Sequence, residues 1–351
     1  MRMLSVFLLA FSCIISTSIQ TSAKPSVVIV ATGGTIAGQA QSSVTSQYQP
    51  SRIPVDNLLR AVPEIRGIAQ VSGVQACQVS SQDMTSALWL HIARTVDSLV
   101  QQESVDGVVI THGTDTMEET AYFLNLVVPT EKPIVLTGAM RSPGSLSADG
   151  ALNLYNSVAV AASGEAKGKG VLLVFNDRIH GAREVTKRNT INVAAFESPE
   201  FGILGYVHYG QPRFYRKSTR KHTFKSEFNI QKIKKLPEVA ILYGYADFNP
   251  ELVAQVIETS AAGIVYAGTG NGNPNMATID ALAQAVYNGI GVVRSARTGS
   301  GAVTLQAEVD DTKYGFVVAD NLNPQKSRIL LMLCLEKNLN QKDIQRVFFE
   351  Y

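Results

Sequence analysis

Val27-Val28-Ile29-Val30-Ala31-Thr32-Gly33-Gly34-Thr35-Ile36-Ala37-Gly38 is an apolar, β-branched run that breaks into glycine and threonine. It has an echo in Val108-Val109-Ile110-Thr111-His112-Gly113-Thr114-Asp115-Thr116-Met117-Glu118-Glu119. Runs of this kind read as strands buried on both faces. The break places hydroxyls just beyond the carboxyl ends of strands, where an open α/β sheet keeps its chemistry. Thr35 and Thr114, so placed, suggest a hydroxyl nucleophile and a helper. Each alone better suits a turn into a helix with Thr or Gly as the cap. The pair favours a site.

Outward from these runs, strand-like and helix-like stretches alternate. Thr85 to Val100 carries Leu88, Ile92, Val96 and Leu99 on one helical face. Thr116-x-x-Glu119 matches a capping box and should open a helix through Leu126. Pro133–Leu136 and Val171–Val174 read as further strands, with a helix from Asp149 to Ala162 between them. This rhythm predicts an α/β fold with a mostly parallel sheet flanked by helices. It lapses near Gly210, where Arg213, Arg216, Lys217, Arg220, Lys221 and Lys225 crowd a segment of little periodicity. It resumes with strands at Val239–Leu242, Gly263–Tyr266 and Gly291–Val293 and helices at Met276–Tyr287 and Pro324–Glu336. The expected organisation is a larger N-terminal α/β domain over 24–212, a basic linker over 213–237 and a smaller C-terminal α/β domain over 238–351.

Residues 1–23 read as a cleaved signal peptide: Met1-Arg2-Met3 is the positive start, Leu4 to Ile15 the apolar core, and Thr21-Ser22-Ala23 the small-residue cleavage site. The apolar run is too short for a comfortable membrane span, so export is the expectation and no membrane attachment should persist after cleavage. With 45% apolar and 17% charged residues and a net charge of +2, the chain offers no electrostatic footprint for nucleic acid. Cys77 and Cys334 read as small buried hydrophobes rather than a disulfide. No paired Cys or His spacing suggests a metal.

G-x-S-x-G, H-E-x-x-H and Walker patterns are absent. Gly268-x-Gly270-x-Gly272 lacks the spacing of a dinucleotide loop, which argues against an oxidoreductase. What remains is a hydroxyl nucleophile without histidine, and a threonine needs a base. A lysine or an activated tyrosine can serve, and Lys187 and Tyr48 are candidates. Neither is singled out by its local sequence.

The motifs Ala31-Thr32-Gly33-Gly34-Thr35-Ile36-Ala37-Gly38 and Thr111-His112-Gly113-Thr114-Asp115-Thr116-Met117-Glu118-Glu119-Thr120-Ala121 resemble the two signatures of bacterial L-asparaginases, type II exported branch. Ser81-Gln82-Asp83-Met84, Thr137-Gly138-Ala139-Met140-Arg141, Ala307-Glu308-Val309-Asp310-Asp311 and Leu322-Asn323-Pro324-Gln325-Lys326 extend the likeness along the chain. The resemblance implies hydrolysis of L-asparagine to L-aspartate and ammonia, without metal or cofactor. It implies Thr35 as nucleophile, Tyr48 closing over it, and Thr114, Asp115 and Lys187 as a hydrogen-bonded group near the amide. It assigns Ser81 and Gln82 to the α-carboxylate, Asp115 to the α-ammonium and the Ala139 carbonyl to the amide end. Asn273 and Glu308 would reach the ammonium from a neighbouring subunit of a periplasmic homotetramer. Without the resemblance, Ser81 and Gln82 suit a helix cap, Asn273 a turn and Glu308 acidic surface. Two other readings stand beside it: a glutaminase-asparaginase with comparable L-glutamine turnover, and an exported amino-acid-binding protein without turnover.

Overall fold

The structure, a computed structural model, describes residues 23–40, 48–49 and 54–351. The expected leader, 1–23, therefore lies outside the described residues but for Ala23. Strand β1 (Ser26–Gly33) runs into a two-stranded ribbon of β2 (Gln39–Ala40) and β3 (Tyr48–Gln49). Strands β4 (Gln70–Val79), β5 (Gly107–Thr111), β6 (Ile134–Thr137), β7 (Val171–Phe175) and β8 (Arg178–Gly181) follow. A second ribbon pairs β9 (Thr186–Lys187) with β10 (Phe196–Glu197), and a hairpin joins β11 (Gly205–His208) to β12 (Gln211–Phe214). The larger sheet has the order β12-β11-β8-β7-β6-β5-β1-β4. Neighbours from β4 to β7 are parallel, and β8, β11 and β12 add on as antiparallel edge strands. The smaller parallel sheet is β13 (Val239–Tyr243), β14 (Gly263–Gly268), β15 (Gly291–Ala296) and β16 (Val317–Val318).

Side-chain alternation explains why the central strands read as unbroken apolar runs. Val28, Val30, Val108, Ile110, Ile134 and Leu136 face one core with the helices Ser86–Val100 and Met117–Val127. Val27, Ile29, Val109, Val135, Leu172 and Val174 face the other, against the helix Gly150–Ala162. Both faces are dry, so both parities are apolar. The first core also takes Val265, Val293, Ile329, Leu330, Leu333 and Phe348 from the C-terminal sheet and helices. The two sheets are therefore joined through one continuous apolar volume.

Three sequence readings change on inspection. The half-exposed, ten-residue β4 was not expected, because Gly73 and interspersed glutamines break its apolar pattern. Its glycine admits Val55, whose Cγ2 would lie 2.6 Å from a Cβ there. The capping box at Thr116 does not form: the Thr116 hydroxyl makes no cap bond and instead donates to the Ser81 carbonyl at 2.7 Å. The basic stretch is also more than solvated surface. Arg213 lies in β12, and Phe228, Ile230, Ile233 and Leu236 are buried. Arg220 and Lys221 pair with Asp320 at 2.7 Å and Glu350 at 2.6 Å.

Cys77 and Cys334 are free thiols. Burial pushes the Cys77 thiol up to about 11, so it is not a poised nucleophile. Among the described residues, no helix is long and apolar enough to cross a membrane and no group of side chains could hold a metal ion.

Candidate active site

The carboxyl ends of β1, β5 and β6 meet through glycines. A Cβ on Gly34 would sit 2.4 Å from the Cα of Gly113, and one on Gly113 would sit 2.6 Å from Ser81 Oγ. A Cβ on Gly138 would sit 2.4 Å from the His112 carbonyl oxygen. Each position therefore needs hydrogen where any other residue has carbon, and Gly34 also takes φ of 80°. Threonines reinforce this junction: Thr32 donates to the Thr111 carbonyl at 2.9 Å, and Thr137 to that of Val174 at 2.9 Å.

Thr35 opens a short 3-10 turn after β1 and is buried at 8% exposure. Thr114 follows the adjoining β5 at the same carboxyl edge of the sheet and is also buried. Lys187 reaches in from β9, its ammonium donating to Thr114 Oγ1 at 2.8 Å and to Asp115 Oδ1 at 2.6 Å. The Lys187 side chain is 16% exposed and that of Asp115 58%, so the pair is open on the carboxylate side. Ser81 is buried, and its hydroxyl accepts the Asp115 N–H at 3.2 Å, which is not the helix-cap role its sequence allowed. The helix beyond is capped instead by Thr85, whose hydroxyl accepts from Leu88 N–H at 3.2 Å. Gln82 is solvent-exposed on the same turn. Ala139 is buried next to the Thr35 turn: a Cβ on Gly150 would meet Ile36 at 3.1 Å and Ala139 at 3.2 Å. Tyr48 is described only by its backbone, paired with Ala40.

Behind the strand end, His112 is fully buried, and loss of hydration lowers it to about 4. A neutral ring fits its contacts. Its Nδ1 lies 2.7 Å from the Gly113 carbonyl, which can only accept, so Nδ1 carries the proton. Nε2 then accepts from the Thr120 hydroxyl at 2.9 Å, which in turn accepts from Trp89 Nε1 at 2.9 Å. This directed chain holds the peptide just before Thr114.

Glu119 lies near this core without sharing the strand-end bonds. Burial first, then the Glu118 carboxylate, raise its carboxyl from 4.5 to about 7. A folded value above the unfolded one means that the cost of ionising it in place sets in as pH rises above 4.5 and is complete above about 7. Glu119→Gln should therefore gain stability relative to the parent between pH 5 and pH 8, read from urea midpoints. A pH-independent difference would contradict this.

Asn273 and Glu308 are not brought to the strand-end group within one chain. They bond to each other, Asn273 Nδ2 donating to the Glu308 carboxylate, on two loops of the C-terminal domain. Arg294 and Asp311, both about 1% exposed as side chains, organise those loops. The guanidinium meets the carboxylate through Nε at 2.6 Å and a terminal nitrogen at 2.8 Å. It also donates to the carbonyls of Asn271, Gly272 and Thr304, and Asp311 accepts the Gln306 N–H at 2.9 Å. Asp311→Ala would strand a buried guanidinium and should cost about 3–5 kcal/mol in urea unfolding. A loss below about 1 kcal/mol would mean that water replaces the carboxylate.

The family described as "Asparaginase, N-terminal" matches residues 26–220, and "Glutaminase/Asparaginase C-terminal domain" matches 238–348. The chain belongs to the asparaginase family. It is 48% identical to the "Probable L-asparaginase periplasmic" of Haemophilus influenzae, over 93% of each chain. It is 46% identical to "L-asparaginase 2" of Escherichia coli, over 94% of each. It is 49% identical to the "Glutaminase-asparaginase" of Acinetobacter glutaminasificans, over 93% of this chain and all of that one. The crystal structure of a "Probable Cytoplasmic L-asparaginase" from Campylobacter jejuni superposes with a TM-score of 0.90 at 44% identity, covering 93% of this chain and 100% of that one. As in that asparaginase, a large mostly parallel sheet is joined to a smaller parallel one.

Glu118 and Asn323 were missed by sequence reasoning. Glu118 lies inside the second motif but was read only as part of a helix start. Its burial at 5% exposure is the signal that sets it apart, since a buried carboxylate must be held by donors.

Proposed function

We propose that this chain hydrolyses L-asparagine to L-aspartate and ammonia, with Thr35 as the nucleophile. The observation that supports this best is the Lys187 ammonium set between the Thr114 hydroxyl and the Asp115 carboxylate, just beyond β5, the neighbour of the strand that leads into the Thr35 turn. A neutral Lys187 amine reverses the 2.8 Å contact and accepts the Thr114 proton, so that Thr114 can relay protons at the amide. Thr35 Oγ adds to the amide carbon. Its proton goes to the departing nitrogen, the C–N bond breaks and ammonia leaves. Water then adds to the ester, and the Thr35 hydroxyl is regenerated with L-aspartate. The Thr114 backbone N–H is assigned to the developing oxyanion. Tyr48 is assigned to close over Thr35.

The substrate's charged ends need partners. Ser81 and Gln82 are assigned to the α-carboxylate, the Ala139 carbonyl to the amide end, and Asp115 to the α-ammonium through the oxygen that Lys187 leaves open. Asn273 and Glu308 are assigned to the same ammonium from a neighbouring subunit of a homotetramer. In keeping with that, Asn273 Oδ1 is buried with no hydrogen-bond partner among the described residues, an acceptor beside a carboxylate. Residues 1–23 are assigned to export into the periplasm.

Two assays decide. Purified protein should release ammonia from L-asparagine; a folded tetramer that releases none would instead be a binding protein. Comparable kcat/KM for L-glutamine would favour a glutaminase-asparaginase, the name that one of the similar relatives carries. A single methylene gives only modest discrimination in a pocket, so this ratio is the informative quantity.

A further inference from the structure

We propose that Glu118 is a positioning residue for Lys187, acting through a buried bridge to the N-cap of the helix Pro324–Glu336. The inference rests on the role given to Lys187 above. Glu118 Oε2 accepts the Lys187 backbone N–H at 2.5 Å. Its Oε1 accepts from Asn323 Nδ2 at 2.8 Å. The Asn323 side chain cannot turn over, because its own Oδ1 accepts the Lys326 N–H at 3.0 Å and so caps the helix. Lys326, 2% exposed, then donates from Nζ to the carbonyl of Arg183 at 2.9 Å and to that of Val185. The strand that carries Lys187 is thus held at two points, its N–H by Glu118 and its approach by Lys326. The first hold is anchored through Asn323 and the second is made by Lys326, both at the N-terminus of that one helix of the C-terminal domain.

The chemistry requires a carboxylate at 118. Two donors with fixed directions point at its two oxygens, and an amide offers only one acceptor. Glu118→Gln therefore sets a donor against a donor at one end. If the Lys187 end yields, the amine shifts from Thr114, and small displacements of reacting groups are costly. Ser81 and Gln82, assigned to the substrate carboxylate, are untouched, so the loss falls more on kcat than on KM.

The test uses the purified intact protein, with L-asparagine as substrate. Glu118→Gln should lower kcat about tenfold to a hundredfold with little change in KM. Asn323→Asp keeps a capping oxygen but sets a second carboxylate against Glu118, and should lower kcat too. The pair E118Q/N323D reverses the polarity of the bridge: the amide oxygen takes the Lys187 N–H and the amide nitrogen donates to the aspartate. It should recover most of the lost kcat. In a Lys187→Met background, Glu118→Gln should add no further loss. Wild-type kcat in Glu118→Gln would overturn the proposal. So would a folded double variant as slow as Glu118→Gln, or full additivity with Lys187→Met. Near-normal turnover by Lys187→Met alone would instead remove the reading on which the proposal rests. Should Glu118→Gln not fold, Asn323→Ser, which keeps a capping oxygen and removes only the amide donor, must still lower kcat or the proposal fails.

Discussion

Thr35→Ala is expected to lower kcat for ammonia release by on the order of 10³-fold or more while the protein stays folded. Thr35 sits at 8% exposure on a turn whose shape is set by the main chain of Gly34 and by its contact with Gly113. The substitution removes the hydroxyl and the γ-methyl from that turn and leaves the glycine contact intact. The loss should therefore be chemical, with the melting temperature little altered. Thr35→Ser restores an oxygen at the same place and should recover part of the rate. A Thr35→Ala protein that keeps a tenth of the parental kcat would remove Thr35 from the nucleophile role.

Lys187→Met carries the second large effect. Methionine fills much of the same volume with no charge, so Thr114 loses its 2.8 Å contact and Asp115 its 2.6 Å ion pair together. The Asp115 side chain is 58% exposed, so water can receive it and the stability cost should be small. Loss of an acid–base group is worth typically about 10²–10⁴ in rate, and kcat should fall within that range. An unchanged pH–rate profile would make a base role for Lys187 untenable.

The larger sheet was legible because burial on both faces leaves Val27–Val30 and Val108–Ile110 unbroken, a pattern few other structures allow. The glycines beside Thr35 and Thr114 were legible as loops, though not as a contact with each other. That contact is a property of two distant segments and has no local signature. Thr116 and Glu119 show the opposite failure. Their spacing is right for a capping box, yet Thr116 holds Ser81, and Glu119 is a partly buried carboxyl whose pKa that burial raises. Tertiary partners took over side chains whose local pattern pointed elsewhere. β4 escaped notice because an edge strand is wet on one side and tolerates glycine and glutamine. The Arg294–Asp311 pair was invisible for another reason: isolated charged residues in sequence read as surface, and only the fold shows that these two are buried together.

The contact between Gly34 and Gly113 also bears on how this protein can change. At a side-chain contact, one residue can shrink when its neighbour grows. Where two main chains touch, no compensating pair exists among the twenty amino acids. Random mutagenesis aimed at a new amide preference should therefore return inactive, misfolded clones at these glycines regardless of what is altered nearby. Useful variation should collect at positions outside that contact, such as the solvent-exposed Gln82. The strand junction acts as a fixed chassis, and substrate choice is left to parts that can be exchanged without moving it.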